Sequence, residues 1–484
     1  MINLENKLLK QFNNFIIVSA IVTNFLLFLL FLYRVPAHSF LFNLFFLSII
    51  IVILLFYIFT FFYLNTEWKA VISISSITII ISLIIVEILL INSTFFNRGL
   101  ALKKSQENAK LYEPRSKLEY MKDLISQGLD PVPIFPPSIW RGKLDFKSEN
   151  DAVRYSLENN IYPLSGISNK LTVNCNESGY WAEYESDKYG FNNPNYAYKK
   201  NIDIISIGDS FVQGACVKMD EDVTSHLRKF NYTSLNYGYA GSGPLIELAI
   251  LKEYASIYKP KNLLWFYFRG DVEDLFSELK NEILIKYLNN DYSQNLINRQ
   301  DEIDNFLSKY LDKRISAVDI MVKEFKKKKE AKFLKSQLII QDNIHGKFLE
   351  ILFFFKFTNI RNLLNLYDNK YSCVDYFCAE ETKNDFSKIL LKAKETTESW
   401  GGNFYFIYLP SWEEYTNNKP FLQNKKELIN IVKSLDIQVV DFNDVLSNQE
   451  NPLSYFPFEL PNHYTNEGYA LLANQINETL KNNN

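Results

Sequence analysis

Four short segments carry residues whose types and spacing suit nucleophilic acyl chemistry. IISIGDSFVQG, residues 204–214, sets Ser210 directly after an apolar, β-branched run. A serine at the end of a buried strand lies at the carboxyl edge of the sheet, where doubly wound folds form their sites. Gly208 permits the close backbone turn that this exit requires. LNYGYAGSGP, residues 235–244, follows a second apolar run and is crowded with glycine. Small residues there let backbone N–H groups approach an oxyanion. YFRGDVEDL, residues 267–275, brings polar side chains to the end of a third run, and FPFELPNHYTNEGYALLA, residues 456–473, carries His463. The chain has four histidines, and only His463 sits in a loop between the last strand-like run and the last helix-like one. A histidine that takes the proton of a serine makes the serine a nucleophile.

These segments need a sheet to bring them together, and the intervening pattern supplies one. Short apolar runs at Ile202–Ile207, Thr233–Tyr237, Asn262–Phe268, Asn403–Leu409 and Ile437–Phe442 read as strands buried on both faces. Helical spacing follows at Asp222–Phe230, Pro244–Tyr258, Val272–Leu288, Asp385–Trp400, Lys419–Ser434 and Thr465–Lys481. Strand alternating with helix predicts an α/β domain over 201–484, doubly wound around a mainly parallel sheet. The alternation lapses over about 289–380, which reads as a helical insertion. It contains the lysine run KEFKKKKEAK, a solvated face, and FLEILFFFKF, a run too short to span a bilayer. Residues 93–200 read as a linker and an irregular start to the domain: a polar helix over 97–127, a proline-rich stretch at Asp130–Pro137, then Tyr, Asn and Gly.

Taken in order, Ser210, Gly241, the Asp271 region and His463 resemble the four blocks of the SGNH/GDSL hydrolase superfamily. The likeness covers about residues 160–480 and resembles most its membrane-anchored bacterial members. TVNCNESGYW, SDKYGFNNP, GDSFVQGACV, LNYGYAGSGPL, LKEYASIYKPKNLLWFY and NHYTNEGY carry it. The resemblance implies Ser210 as nucleophile, its own N–H and that of Gly241 as oxyanion donors, and His463 as general base. Gly241, Asp271 and Asp209 are then candidates for oxyanion or substrate binding. Two positions depart from the family pattern. Its third block reads Gly-Asn-Asp, but here Gly270 is followed directly by Asp271. An ionised carboxylate would repel an oxyanion, so Asp271 serves only if protonated or turned away. The acid usual three residues before the histidine is Leu460; adjacent Glu459 becomes the candidate to orient His463, with a Ser–His dyad as the alternative. The expected activity is ester hydrolysis on acylated cell-envelope glycans or lipids. The alternatives are an O-acyltransferase using the same acyl-enzyme, and a catalytically degenerate glycan-binding or assembly protein.

The amino-terminal region adds an expectation of place. Three apolar runs, Phe15–Tyr33, Phe40–Leu64 and Ala70–Ile91, each reach the ~20 residues that cross a bilayer as helix. They predict a three-helix transmembrane anchor over 1–92, with Glu87 inside the third run as a helix contact. The four cysteines favour an oxidising compartment. Cys373 and Cys378, with four residues between them in a polar loop, suit a small disulfide, and Cys175 and Cys216 complete the even set. The expectation is a multi-pass inner-membrane protein with its α/β domain outside the cytoplasm, whose partners are the bilayer and an acylated glycan or lipid. A net charge of −3 with 22% charged residues gives no electrostatic reason to expect nucleic acid. No GxxxxGK[ST] loop, HExxH pair or His/Cys cluster occurs, so no cofactor or metal is expected.

Overall fold

The structure is a computed structural model that describes residues 10–22, 25, 40–79, 81–82, 86, 113, 115–141, 147–289, 291–313, 380–415 and 421–482. Two compact units divide the chain: 1–99 with 340–373, and 100–339 with 374–484.

The second unit holds two sheets. The smaller has β1 (Pro131–Pro133) parallel to β2 (Leu171–Val173), and β2 antiparallel to β3 (Glu183–Glu185). The larger contains β4 (Ile204–Ile207), β5 (Ser234–Asn236), β6 (Asn262–Phe268), β7 (Asn403–Leu409) and β8 (Gln438–Asp441) in the order β5-β4-β6-β7-β8, every pair parallel. Its central strands β6 and β7 are apolar after their first residue because both faces are covered. Ile205, Ile207, Trp265, Tyr267, Phe406 and Tyr408 point into one core, while Ile204, Leu264, Phe266, Tyr405, Ile407 and Leu409 point into the other. Helices Pro244–Ile250 and Glu380–Glu398 cover the first face; Val223–Lys229 and Asn466–Asn482 cover the second. In this order the chain leaves β4 towards β5 and then returns past β4 to β6. The carboxyl ends of β4 and β6 therefore form the topological switch point where such folds open a crevice.

The irregular segment before β4 is more than a connector. Tyr162, Leu164, Ile167 and Phe191 are buried in the first core. Residues 300–313 are helix, with Ile303, Phe306, Leu307 and Tyr310 in the same core. The remainder of the expected insertion, 314–379, lies outside the described residues, as do Cys373 and Cys378.

The transmembrane part of the expected fold is corrected. Among the described residues no helix is long and apolar enough to cross a membrane, which also removes the multi-pass inner-membrane placement built on those spans. Run length in a sequence is an upper bound on helix length. Of the first and third runs, continuous helix is described over 10–22 and 66–79. Helix Phe40–Tyr63 and the following one bond to each other: Tyr57 Oη and Ser76 Oγ share a hydrogen bond of 2.8 Å, and Lys69 Nζ donates to the Phe61 carbonyl at 2.6 Å. Glu87 lies outside the described residues.

Candidate active site

β4 delivers Ser210 to the switch point. Its four residues are fully buried, and Gly208 follows in a space without room for a side chain: a Cβ there would meet Val212 Cγ2 at 2.5 Å. Asp209 then caps the short helix Ser210–Gln213, its Oδ1 accepting from the Phe211 N–H at 2.9 Å. Ser210 thus opens a helix at a strand end. Its Oγ lies 2.8 Å from His463 Nε2 and 3.4 Å from Asp209 Oδ2.

His463 reaches Ser210 from the loop before helix Asn466–Asn482. Tyr464 anchors that loop, its ring fully buried against Phe211, Phe442 and Phe456. The Phe211 ring also packs on the imidazole at 4.6 Å between centroids. A carboxylate from a third place completes the row. Glu177, in the loop between β2 and β3, accepts from His463 twice with Oε2: from ring Nδ1 at 2.8 Å and from the backbone N–H at 3.0 Å. Nδ1 therefore carries the ring proton, which leaves Nε2 as the acceptor facing Ser210. The loop is shaped by Asn174 N–H to Ala182 O and Ala182 N–H to Cys175 O, both 2.8 Å, and by a disulfide between Cys175 and Cys216.

The charges on the pair favour the ionised form of each. Burial alone would raise Glu177, but the charge and hydrogen bonds of His463 outweigh it and hold the carboxyl below its ordinary value. Burial alone would lower His463, but Glu177 and, to a smaller extent, Asp209 raise it above its ordinary value. Asp209 itself is pushed up to about 6, first by burial.

The expected site residues fall into two groups. Ser210 and His463 are brought within hydrogen-bond distance of each other. Glu459 is not at His463: Glu177 occupies the Nδ1 side instead. Phe458 and Glu459 both turn through left-handed backbone (φ +56° each), and the Glu459 carboxylate accepts from Asn451 Nδ2 at 3.0 Å. Gly241 lies in the β5–helix loop with φ +75°, and a Cβ there would meet Ser138 Oγ at 2.6 Å. The amides of Ser210 and Gly241 have no hydrogen-bond partner among the described residues.

Asp271, after β6, is 2% exposed, and one of its oxygens accepts from the Phe268 N–H at 2.7 Å. Burial first, then the charges of Asp209 and Glu247, push it well above the ordinary carboxyl range. Behind it Glu278 accepts from the amides of Gly243 (2.7 Å) and Leu245 (2.9 Å), and Arg141 pairs with Asp274 and lies 3.6 Å from Glu278.

Sequence reading missed Glu177, although it named Cys175 and Cys216 as disulfide candidates, and these two are bonded to each other. Glu177 lies within TVNCNESGYW, but no periodicity marks a carboxylate 286 residues away from its partner. The usable signal was Cys175, two residues before Glu177, matched by Cys216 six residues after Ser210. Glu177, Cys216 and His463 bring their heteroatoms within 4.8 Å of one another. Cys216 is bonded to Cys175 and offers no thiolate, so this set lacks a third metal ligand.

No protein-family model matches the chain, and no curated protein matches it. Among solved structures it is similar to a protein from Desulfitobacterium hafniense assigned as lipolytic, of the G-D-S-L family: 14% identity, TM-score 0.30, 57% of this chain and 99% of that one. It is also similar to a protein from Bacteroides fragilis assigned as an acylhydrolase: 10% identity, TM-score 0.30, 60% of this chain and 94% of that one.

Proposed function

We propose that the protein is a serine ester hydrolase working through Ser210, His463 and Glu177. The observation that carries the reading is the unbroken row Ser210 Oγ–His463 Nε2 and His463 Nδ1–Glu177 Oε2, each link 2.8 Å. Ser210 Oγ attacks the ester carbonyl carbon as its proton passes to His463 Nε2. Glu177 stays ionised, fixes the tautomer and stabilises the imidazolium that forms. The amides of Ser210 and Gly241 are the candidate donors to the tetrahedral oxyanion. Collapse breaks the ester C–O bond, and the departing alcohol takes the proton from His463. Water then attacks the acyl-serine with His463 again as base, releasing the acid and restoring Ser210. Burial pushes Asp271, which accepts from the Phe268 N–H, towards its neutral form and so lessens the negative charge near the oxyanion. Acylated glycans and lipids are the substrate class proposed.

The test is labelling by a fluorophosphonate, which reacts only with an activated serine. The wild type is expected to label, and Ser210→Ala and His463→Ala are not. Folded wild type that labels no better than Ser210→Ala would sink the reading and favour a binding protein. Turnover of O-acetylated glycans and acyl-glycerol esters then narrows the substrate.

A further inference from the structure

We propose that the Cys175–Cys216 disulfide is the positioning element that keeps Glu177 on His463, so that its reduction turns the site down. The inference rests on the triad reading above.

The disulfide joins the two sides of the site at their closest point. Cys175 stands two residues before Glu177 in the β2–β3 loop; Cys216 stands six residues after Ser210 and is fully buried. The Cys216 sulfur, the Glu177 carboxylate and the His463 ring are mutual neighbours within 4.8 Å. Other contacts between the hairpin and the nucleophile segment lie beyond Glu177 in the chain. Lys218 Nζ sits 5.4 Å from the centre of the Tyr180 ring, and Gln213 Nε2 donates to Tyr184 Oη at 2.9 Å. These hold the hairpin on the domain, while residues 175–179 are tied by Ala182 N–H to Cys175 O at the strand end, by one turn bond, Gly179 N–H to Asn176 O, and by Glu113, whose N–H donates to Gly179 O and whose carbonyl accepts from Asn176 Nδ2. The Glu177 side chain is 31% exposed, so water competes for it once the loop loosens. Opening the disulfide therefore frees the acid without unfolding the domain. A displacement of about 1 Å in a catalytic group can cost about a hundredfold in rate.

The chemistry balances with a dithiol reductant. Its thiolate attacks the Cys175 sulfur, the half-buried one, and Cys216 leaves as a thiolate beside His463. The second thiol of the reductant closes its own disulfide, and Cys175 and Cys216 end with one proton each.

The experiment uses full-length Cys373→Ser/Cys378→Ser protein, so that two thiols at most are gained. Hydrolysis of p-nitrophenyl acetate is measured against pH before and after dithiothreitol, with thiols counted and far-UV circular dichroism recorded. Reduction is expected to lower kcat about 10- to 100-fold, with KM within twofold and reoxidation restoring the rate. The acid limb of the pH profile should move to lower pH. Glu177, from the β2–β3 loop, and Asp209, from the cap of the nucleophile helix, are the charged groups that raise His463, and Glu177 is the larger. In Glu177→Gln, reduction should add less than twofold, which a merely structural role of the disulfide would not produce. Further substitution by Cys175→Ser/Cys216→Ser should reproduce the reduced state. The proposal is overturned if two thiols appear while kcat and the acid limb stay put, or if Glu177→Gln loses as much again on reduction. Oxidised protein with no Ser210-dependent turnover removes the triad reading and this inference together; Ser210-dependent turnover indifferent to reduction removes this inference alone.

Discussion

Ser210 and Glu177 reach His463 from opposite sides and are held there by different means. Ser210 stands on β4, whose residues are buried on both faces of a five-stranded sheet, and a capped helix turn fixes its direction. Glu177 stands in a loop between two three-residue strands, held by a few backbone hydrogen bonds and a disulfide. Packing fixes the first side through many weak contacts, any one of which is dispensable. Local bonds fix the second, so single changes there should alter activity while leaving stability nearly intact.

Glu177→Gln tests that contrast most sharply. The amide keeps the shape, but it can neither stabilise an imidazolium nor enforce the Nδ1–H tautomer. kcat should fall about 10³- to 10⁴-fold, the range seen when a triad acid is removed. Thermal midpoint should shift little. Glu459→Gln, which loosens only the Asn451 contact, should leave kcat within twofold. If the two variants exchange these outcomes, the row of 2.8 Å links is not the working one. The pH profile gives an independent check. His463 must be neutral to act as base, and Glu177 raises it, so the wild-type acid limb should lie above pH 6.5, the ordinary histidine value. In Glu177→Gln the limb should move down, because burial then acts with less opposition. Scans from pH 5 to 9 on a chromogenic acetate ester would read both.

The same contrast explains what was legible in the sequence. The five strands and the helices between them were readable because a strand buried on both faces must be apolar throughout and a covering helix must be apolar on one side. Asn262–Phe268 and Asn403–Leu409 match residue for residue. Ser210 and His463 were readable because Ser210 comes just after a strand and His463 just before a helix, regular elements whose periods announce them. Glu177 follows nothing periodic: β2 and β3 are too short to alternate, and the loop's conformation depends on a cystine whose second half lies 41 residues on. Glu459 was a candidate only because it is near His463 in sequence, and two left-handed residues cancel that proximity. The amino-terminal runs show the converse error. Apolar length was read as spanning length, whereas among the described residues no helix is both long and apolar enough to cross a membrane.

Two glycines with similar backbone offer a second comparison. Gly241 (φ +75°) lies beside the site, and Gly401 (φ +81°) lies before β7 at the far, amino edge of the sheet. Alanine at either should cost about 1–2 kcal/mol for left-handed backbone. At Gly401 nothing lies within 4 Å of the new Cβ, so activity should be untouched. At Gly241 the Cβ meets Ser138 Oγ at 2.6 Å and must displace the loop that offers the candidate oxyanion amide. kcat should fall at least about tenfold, because even one lost donor costs about 10²–10³. Equal activity in both variants would remove Gly241 from the oxyanion role.

Glu247 and Glu278 form the last pair, and here the expected effect is on stability alone. Both are fully buried behind the site. Glu278 accepts from two amides and has Arg141 nearby, and it is pushed up to about 7, burial being the largest cause. Neither oxygen of Glu247 has a hydrogen-bond partner among the described residues, and burial first, then Asp209, Glu278 and Asp274, push it well above the ordinary range. A carboxyl whose folded pKa exceeds its unfolded value binds more protons in the folded state. Its contribution to stability is complete below about pH 4.3 and is lost as pH rises towards the folded value. Glu247→Gln removes that loss. The variant should therefore melt a few degrees above wild type at pH 8 and no higher than wild type at pH 4, with ~1 kcal/mol corresponding to about 2–4 °C. Glu278 is raised as well, so the sign is the same: relative to wild type, Glu278→Gln should melt higher at pH 8 than at pH 4, with part of the gain offset by the Arg141 contact and the amide hydrogen bond it gives up. Calorimetry of the three proteins at both pH values reads the difference; a Glu247→Gln protein that melts lower at pH 8 would mean its carboxylate is paired in the folded protein after all.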